Sequence, residues 1–326
     1  MRLQVPRFGM GCSALGNLYR PMSDDEAITV VATAIDAGIG YFDVAPHYGF
    51  GLAERRLSMA LQACGGVRPL LSTKVGRLLV PTDDRGPRHG FVDADPFEPA
   101  FDYHAEAVLA SHQASLRRIG VERVDMLLAH DLGELTHGPD AGHHLRVFLE
   151  SGYKAMRSLR ESGEIDAIGI GVNETAICDR ILDEVDIDVI LLAGRYTLLE
   201  QGALALLDRC AKLGVQVIVG GPFNSGLLVE DPDAGPVHYN YAPAPDDLVA
   251  RANALRAVCH AHGTALPAAA LAFPLRHPAV CSVVAGLASP SQVQQATAWR
   301  VADIPTALWD DLRSASLIGG GAPLPA

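Results

Sequence analysis

Lysine is nearly absent from this chain. Lys74, Lys154 and Lys212 stand against 23 arginines in 326 residues. Acidic side chains outnumber basic ones 38 to 26, giving a formal net charge of −12. Nucleic-acid binding depends on clustered Lys and Arg that neutralise phosphates, so an acidic chain without a basic stripe argues against that partner. No apolar run approaches the roughly 20 residues that cross a bilayer, and no membrane association is expected. Met1-Arg2-Leu3-Gln4-Val5-Pro6 lacks the apolar stretch and cleavage site of a secretory signal, which predicts a cytoplasmic protein. Six cysteines, at positions 12, 64, 178, 210, 259 and 281, form no Cys-x-x-Cys pair. They read as small core residues in a reducing compartment, not as a disulfide framework. His137, His143 and His144 lie among Gly138, Pro139 and Gly142 with no carboxylate at helical spacing, so they read as solvated loop residues and no metal is expected.

What the chain does have is alternation. Short runs rich in Val, Ile and Leu recur, each followed by a segment of helical period, as in βαβ units around a parallel sheet. Eight strands are predicted: Arg7–Gly11, Ile39–Asp43, Leu70–Lys74, Val124–His130, Asp166–Gly171, Ile187–Leu192, Val215–Gly220 and Cys281–Gly286. Their near-continuous apolar character suits strands buried on both faces. Ser23 and Glu26 form a capping box for the first helix, Ala27, Val30, Val31, Ala34 and Ile35 supply its buried face, and Gly38 ends it. Further helices are expected near 52–63, 104–119, 152–161, 174–184, 200–212, 246–262 and 304–316, with shorter ones at 267–275 and 290–298.

Eight such units close into a (β/α)8 barrel or lie open in a doubly wound sheet. Gly9-x-Gly11-x-x-Ala14 superficially matches a dinucleotide fingerprint, but there a helix should begin at once. Here Gly16, Asn17 and Pro21 delay it to Ser23. The long connections, 75–102, 131–150 and 222–245, all follow strand C-termini, whereas the returning loops are short. That asymmetry is how a barrel builds its active site. An α/β single-domain (β/α)8 barrel over residues 1–318 is therefore predicted, with a flexible tail at 319–326.

Polar groups at strand tips are then the catalytic candidates. Strand two ends in Asp43 with Tyr48 five residues on, strand three in Lys74, and strand four in His130. A buried ammonium needs a partner, which Asp43 supplies. The Lys74 charge beside Tyr48 favours the phenolate, and a tyrosine so tuned exchanges a proton while hydride moves. His130 can hydrogen-bond the reacting oxygen. Arg77, Arg85, Arg88, His89, Asp93 and Asp131 stand in the loops expected at the mouth.

In these residues the sequence resembles the aldo-keto reductase family. The resemblance runs from Phe8 to about Ala298, through Asp43-x4-Tyr48-Gly49, Ser72-Thr73-Lys74 and Leu128-Ala129-His130-Asp131. It implies a nicotinamide cofactor stretched across the barrel mouth, without a Rossmann domain. Asn173 would hold the carboxamide. Pro222, Phe223, Asn224, Ser225 and Gly226 would cover the pyrophosphate, and Gly286 and Gln292 would face the adenosine ribose. The chain departs from the family where a strand-six glutamine becomes Ala193 and a nicotinamide-stacking aromatic becomes Gly220. Phe223 and Tyr196 are the candidates to compensate. No Lys or Arg occupies the adenosine-phosphate segment, which favours NAD over NADP.

Within the family the resemblance is greatest to the branch of L-fucose (D-threo-aldose) 1-dehydrogenases and pyridoxal 4-dehydrogenases, through Ala45-Pro46-His47-Tyr48-Gly49 and Gly90-Phe91-Val92-Asp93. It implies oxidation of a cyclic hemiacetal such as L-fucose to a lactone by a monomer or small homo-oligomer acting on a small molecule. Pyridoxal oxidation, general NADPH-dependent carbonyl reduction, a Schiff-base lyase using Lys74 and a non-catalytic nicotinamide sensor stand as alternatives.

Overall fold

Residues 3–229, 238–239 and 242–324 are described by the structure, a computed structural model. From the N-terminus the elements are β1 (Phe8–Gly11), α1 (Asp24–Asp36), β2 (Tyr41–Asp43), α2 (Leu52–Ala63), β3 (Leu70–Val75), β4 (Arg77–Pro81), β5 (Phe97–Phe101), α3 (Ala105–Ile119) and β6 (Met126–His130). There follow α4 (Glu134–His137), α5 (Ala141–Val147), α6 (Tyr153–Glu161), β7 (Ala167–Val172), α7 (Thr175–Glu184), β8 (Val189–Ala193), α8 (Leu204–Leu213) and β9 (Gln216–Gly220). The remainder is β10 (His238–Tyr239), β11 (Ala242–Pro243), α9 (Asp246–Ala261), α10 (Leu266–Ala272), β12 (Val280–Gly286), α11 (Pro290–Arg300) and α12 (Thr306–Ser314).

Strands β1, β12, β9, β8, β7, β6, β3 and β2 close, in that order, into a parallel barrel. These are the eight predicted strands, several trimmed at their N-terminal ends. Residue parity splits each strand between two cores. Tyr41, Met126, Leu128, Ala167, Val189, Leu191, Ile218 and Val284 form one cluster inside the barrel. Their neighbours Phe42, Leu127, Ala129, Ile168, Ile190 and Val217 join the larger core under the helices. Because successive side chains alternate faces, Asp43 shares the inward row of Tyr41, and His130 that of Leu128.

The predicted start of α1 is present in full. Ser23 Oγ accepts from Glu26 N at 3.2 Å, and Glu26 Oε2 accepts from Ser23 N at 2.7 Å. Such a cap typically contributes about 1 kcal/mol. Ala27, Val30, Val31 and Ala34 are buried, and Ile35 is half-buried. Gly9 lies against the Tyr41 ring, and β1 leads into a 3-10 turn at Cys12–Gly16, so no helix opens on the glycine fingerprint.

The long connections hold more structure than the sequence suggested. β4 and β5 pair as an antiparallel hairpin, Arg77 opposite Phe101, directly after the C-terminal end of β3. Pro81 and Pro99, and side chains that grow more exposed along both strands, hide it from pattern reading; proline is tolerated because both strands are edges. The stretch read as a loop of solvated histidines folds into α4 and α5. There the His137 and His144 rings lie 4.1 Å apart and Phe101 packs on His137 at 4.5 Å. The tail expected to be flexible is docked as far as Leu324: Ala322 is buried and its carbonyl accepts from Arg313 Nη2 at 2.8 Å.

Candidate active site

The four predicted strand-tip residues come together at the C-terminal mouth. Lys74 is 1% exposed, and its stem lies against Gly171, where a Cβ would stand 3.2 Å from Lys74 Cε. All three ammonium protons are used: Nζ donates to Asp43 Oδ2 at 2.7 Å, to Val44 O at 3.1 Å and to Tyr48 Oη at 3.1 Å. Asp43 is fixed on its other oxygen by the Ser72 hydroxyl at 2.7 Å, and Ser72 in turn lies 2.9 Å from the Tyr41 hydroxyl. The His130 ring meets that of Tyr48 edge-on, with centroids 6.2 Å apart.

Charge within this cluster is sorted. Burial alone would lower the Lys74 pKa, but Asp43 and the Tyr48 oxygen outweigh it and push it up, so the lysine is a permanent cation. Burial, then the neighbouring cations Arg77 and Lys74, push His130 well below the usual imidazole range. His47 is depressed in the same way, by burial first and Arg77 next. Both imidazoles are therefore neutral at physiological pH. An ammonium donating to a phenol oxygen stabilises its phenolate, which gives the site one group suited to proton exchange beside one neutral donor.

A second buried ion pair stands beside the first. Arg77 binds Asp131, stacks over the Phe101 ring at 5.0 Å, and leaves its Nε buried without a partner. Asp131 Oδ2 lies 3.5 Å from His130 Nε2. Across the mouth Phe91 packs edge-on against His47 at 5.4 Å and Phe50 at 5.8 Å, and contacts Tyr48 at 6.4 Å. The segment that carries Phe91 is pinned to the β1–α1 loop: Tyr19 N donates to Gly90 O at 2.9 Å and Val92 N to Asn17 O at 3.1 Å. Sequence reasoning named His47 and Phe91 only as motif letters. The signal for Phe91 was an aromatic between Gly90 and Val92 in a long loop.

The residues expected to hold a cofactor divide. Asn173 directly follows β7 and is half-buried, its carbonyl accepting from Arg195 Nε at 2.6 Å. Asn224, Ser225 and Gly226 follow β9 in successive left-handed conformations, φ 47°, 59° and 98°. Asn224 Oδ1 is buried without a partner, while its Nδ2 donates to Glu200 Oε1 at 3.1 Å. Pro222 is buried beside them, and Phe223 meets Trp299 of α11 edge-on at 6.0 Å. Gly286 is exposed, with open space where a Cβ would stand. Gln292 is committed elsewhere: its Oε1 accepts from Ala288 N at 2.7 Å, bracing the β12–α11 turn. Tyr196 is not at the mouth. It is fully buried in the core under the helices and stacks on Phe273 at 5.3 Å.

Residues 7–316 match the model of the Aldo/keto reductase family. The chain belongs to that family. This aldo/keto reductase is 39% identical to a D-threo-aldose 1-dehydrogenase from a Pseudomonas species over 322 residues, covering 97% of this chain and 95% of that protein. It is 38% identical to the pyridoxal 4-dehydrogenase of Microbacterium luteolum over 330 residues, with the same coverages. An aldo-keto reductase from Bacillus halodurans, solved in its holo form, superposes with a TM-score of 0.75 at 23% identity, covering 99% of this chain and 97% of that one. That last likeness shows the fold alone.

The protein is an NAD(P)-dependent oxidoreductase acting on a small molecule. The residues present fit a nicotinamide dinucleotide: the unpartnered Asn224 oxygen follows the end of β9, and open ground surrounds Gly286, the last residue of β12. Among the described residues, no group of three His, Cys, Asp or Glu could hold a metal ion, and no helix is long and apolar enough to cross a membrane.

Proposed function

We propose that this enzyme oxidises the anomeric carbon of an aldose such as L-fucose to the lactone, with NAD as the acceptor. The observation that carries the reading is the Lys74 ammonium, buried against Asp43 and donating to Tyr48 Oη at 3.1 Å. A bound nicotinamide supplies the hydride acceptor. Tyr48 takes the hydroxyl proton of the hemiacetal, and Lys74 stabilises the phenolate that does so. Neutral His130 donates from Nε2 to the reacting oxygen and orients it. Asn173 and the turn at Pro222, Phe223, Asn224, Ser225 and Gly226 bind the cofactor.

Similarity to the D-threo-aldose 1-dehydrogenase supports the substrate class. Pyridoxal, an internal hemiacetal, is the second reading, favoured by nearly equal similarity to a pyridoxal 4-dehydrogenase and by the Phe91–His47–Phe50 wall, which suits a flat ring. The Schiff-base alternative is disfavoured, since that chemistry needs a neutral amine and Lys74 is held charged. NAD is favoured over NADP because Gly286 and Gln292 offer no cation to a 2′-phosphate.

An absorbance screen for NADH across aldoses, pyridoxal and simple alcohols tests the reading. NAD-linked oxidation of L-fucose or a related aldose is expected, faster as pH rises because Tyr48 must give up its proton before accepting another. Reduction of simple aldehydes with NADPH, with neither an aldose nor pyridoxal oxidised, would overturn it.

A further inference from the structure

Asp131 directly follows His130 and has a left-handed backbone, φ 49°, which a non-glycine residue adopts only where its surroundings hold it. Here they hold it at three points. Its N–H donates to Gly171 O at 3.0 Å, and its carbonyl accepts from the Tyr103 hydroxyl at 2.9 Å and from His137 Nε2 at 2.8 Å. The effect is to turn the carboxylate back over the barrel mouth, beside the imidazole it follows. The guanidinium of Arg77 grips Oδ2, and Oδ1 takes no hydrogen bond among the described residues.

A buried ion pair contributes little to stability against well-packed apolar residues, so a second one at the mouth calls for another role. The separation of its carboxylate from the catalytic imidazole is informative. At 3.5 Å, His130 Nε2 and Asp131 Oδ2 are too far apart for a good hydrogen bond to each other, yet they stand side by side. In the proposed reading Nε2 carries the proton and donates, and the carboxylate accepts only. A pair of neighbouring oxygens on one ligand satisfies both: one accepts from the imidazole, and the other, a hydroxyl, donates to the carboxylate.

We infer that Asp131, held by Arg77, binds the hydroxyl on the carbon next to the reacting one, so that the enzyme selects hemiacetals bearing a vicinal hydroxyl. The inference rests on the proposed reading of the site, in which His130 Nε2 meets the reacting oxygen. Vicinal oxygens on a sugar ring are about a hydrogen-bond length apart, which suits a donor and an acceptor standing side by side. Asp131 is thus a specificity-determining residue. Arg77 is a positioning residue, since it acts through Asp131, gripping the carboxylate and partly offsetting the burial that pushes its pKa up. A site built to bond a substrate hydroxyl rejects the analogue lacking it by large factors, because its buried polar group is then left unmatched.

The test compares L-fucose with 2-deoxy-L-fucose as substrates of the wild-type enzyme. We expect kcat/KM for the deoxy sugar to be lower by about 100-fold or more. Asp131→Asn should narrow the kcat/KM preference for L-fucose over the deoxy sugar by about tenfold or more, the loss of a charged acceptor, with cofactor binding and Tm measured to confirm folding. Equal wild-type rates on the two sugars would overturn the inference alone. So would an Asp131→Asn variant that loses both activities in parallel while still folded and binding cofactor. Failure of the wild type to oxidise any aldose would overturn the functional reading, and this inference with it.

Discussion

Gly16 and Gly49 meet backbone to backbone, and that contact fixes where Tyr48 stands. A Cβ on Gly16 would lie 2.5 Å from the Tyr48 carbonyl carbon, and one on Gly49 2.5 Å from Gly16 O. Gly49 also needs its left-handed φ of 61°. Gly16→Ala must therefore displace the turn that holds Tyr48 beside Lys74. A misplacement of about 1 Å costs on the order of 100-fold in rate. We expect kcat/KM to fall by about that factor with cofactor binding retained, as measured by initial rates and fluorescence titration. Unchanged activity would show that the turn relaxes without moving the phenol.

Tyr48→Phe and Lys74→Met should separate chemistry from stability. Tyr48→Phe removes only the hydroxyl, so turnover should drop by 10²–10⁴-fold, the usual share of acid–base catalysis, with Tm little changed. Lys74→Met should lose comparable activity, but it also strands Asp43, 3% exposed, without its counter-charge. Removing one partner of a buried pair costs about 3–5 kcal/mol. Thermal melting should therefore distinguish the two variants even though their rates do not.

Cofactor choice is testable at one position. Gly286 is exposed and its missing Cβ meets nothing within 4 Å, so Gly286→Lys should fold normally. It supplies a cation beside the expected adenosine ribose and should raise kcat/KM for NADP relative to NAD by about tenfold or more. Gln292 is a poorer site, because its side chain braces Ala288 N. A wild type that already prefers NADP tenfold would mean that another cation reaches the phosphate.

His137 links stability to pH. Burial first and His144 next lower its pKa to about 4, against an ordinary value near 6.5. The unfolded chain thus takes up this proton before the folded one does as pH falls. His137's contribution is full above about pH 6.5 and is lost progressively toward pH 4. Solvent screening keeps the effect modest for a half-buried ring. His137→Gln should therefore flatten the fall in Tm over that window by a few degrees relative to wild type, as read by calorimetry. Parallel Tm curves for the two proteins would show that the ring is not protonated on unfolding.

Much of the site was legible before folding was considered. Asp43, Lys74 and His130 announce themselves as polar residues ending apolar strands, and parity alone puts them on the inward row. Ser23 and Glu26 mark a helix start through a contact three residues long, and such local chemistry survives any tertiary arrangement. Tyr196 and Gln292 were not legible in the same way. Each carries a side chain that suits a cofactor, but which way it points depends on neighbours distant in sequence, Phe273 for Tyr196 and the turn at Ala288 for Gln292.

The sequence by itself determined the eight strands, their order along the chain and the polar residues at their tips, because periodicity and burial are written residue by residue. Only the tertiary structure decided that β4 and β5 pair, that Phe91 docks on Tyr48 and that Arg77 meets Asp131. Closing the barrel brings the ends of β3 and β6 side by side although more than fifty residues separate Arg77 from Asp131. No local pattern encodes such a contact. It exists because ring closure leaves each strand tip only two neighbours, and a charge sealed among them must find its partner there.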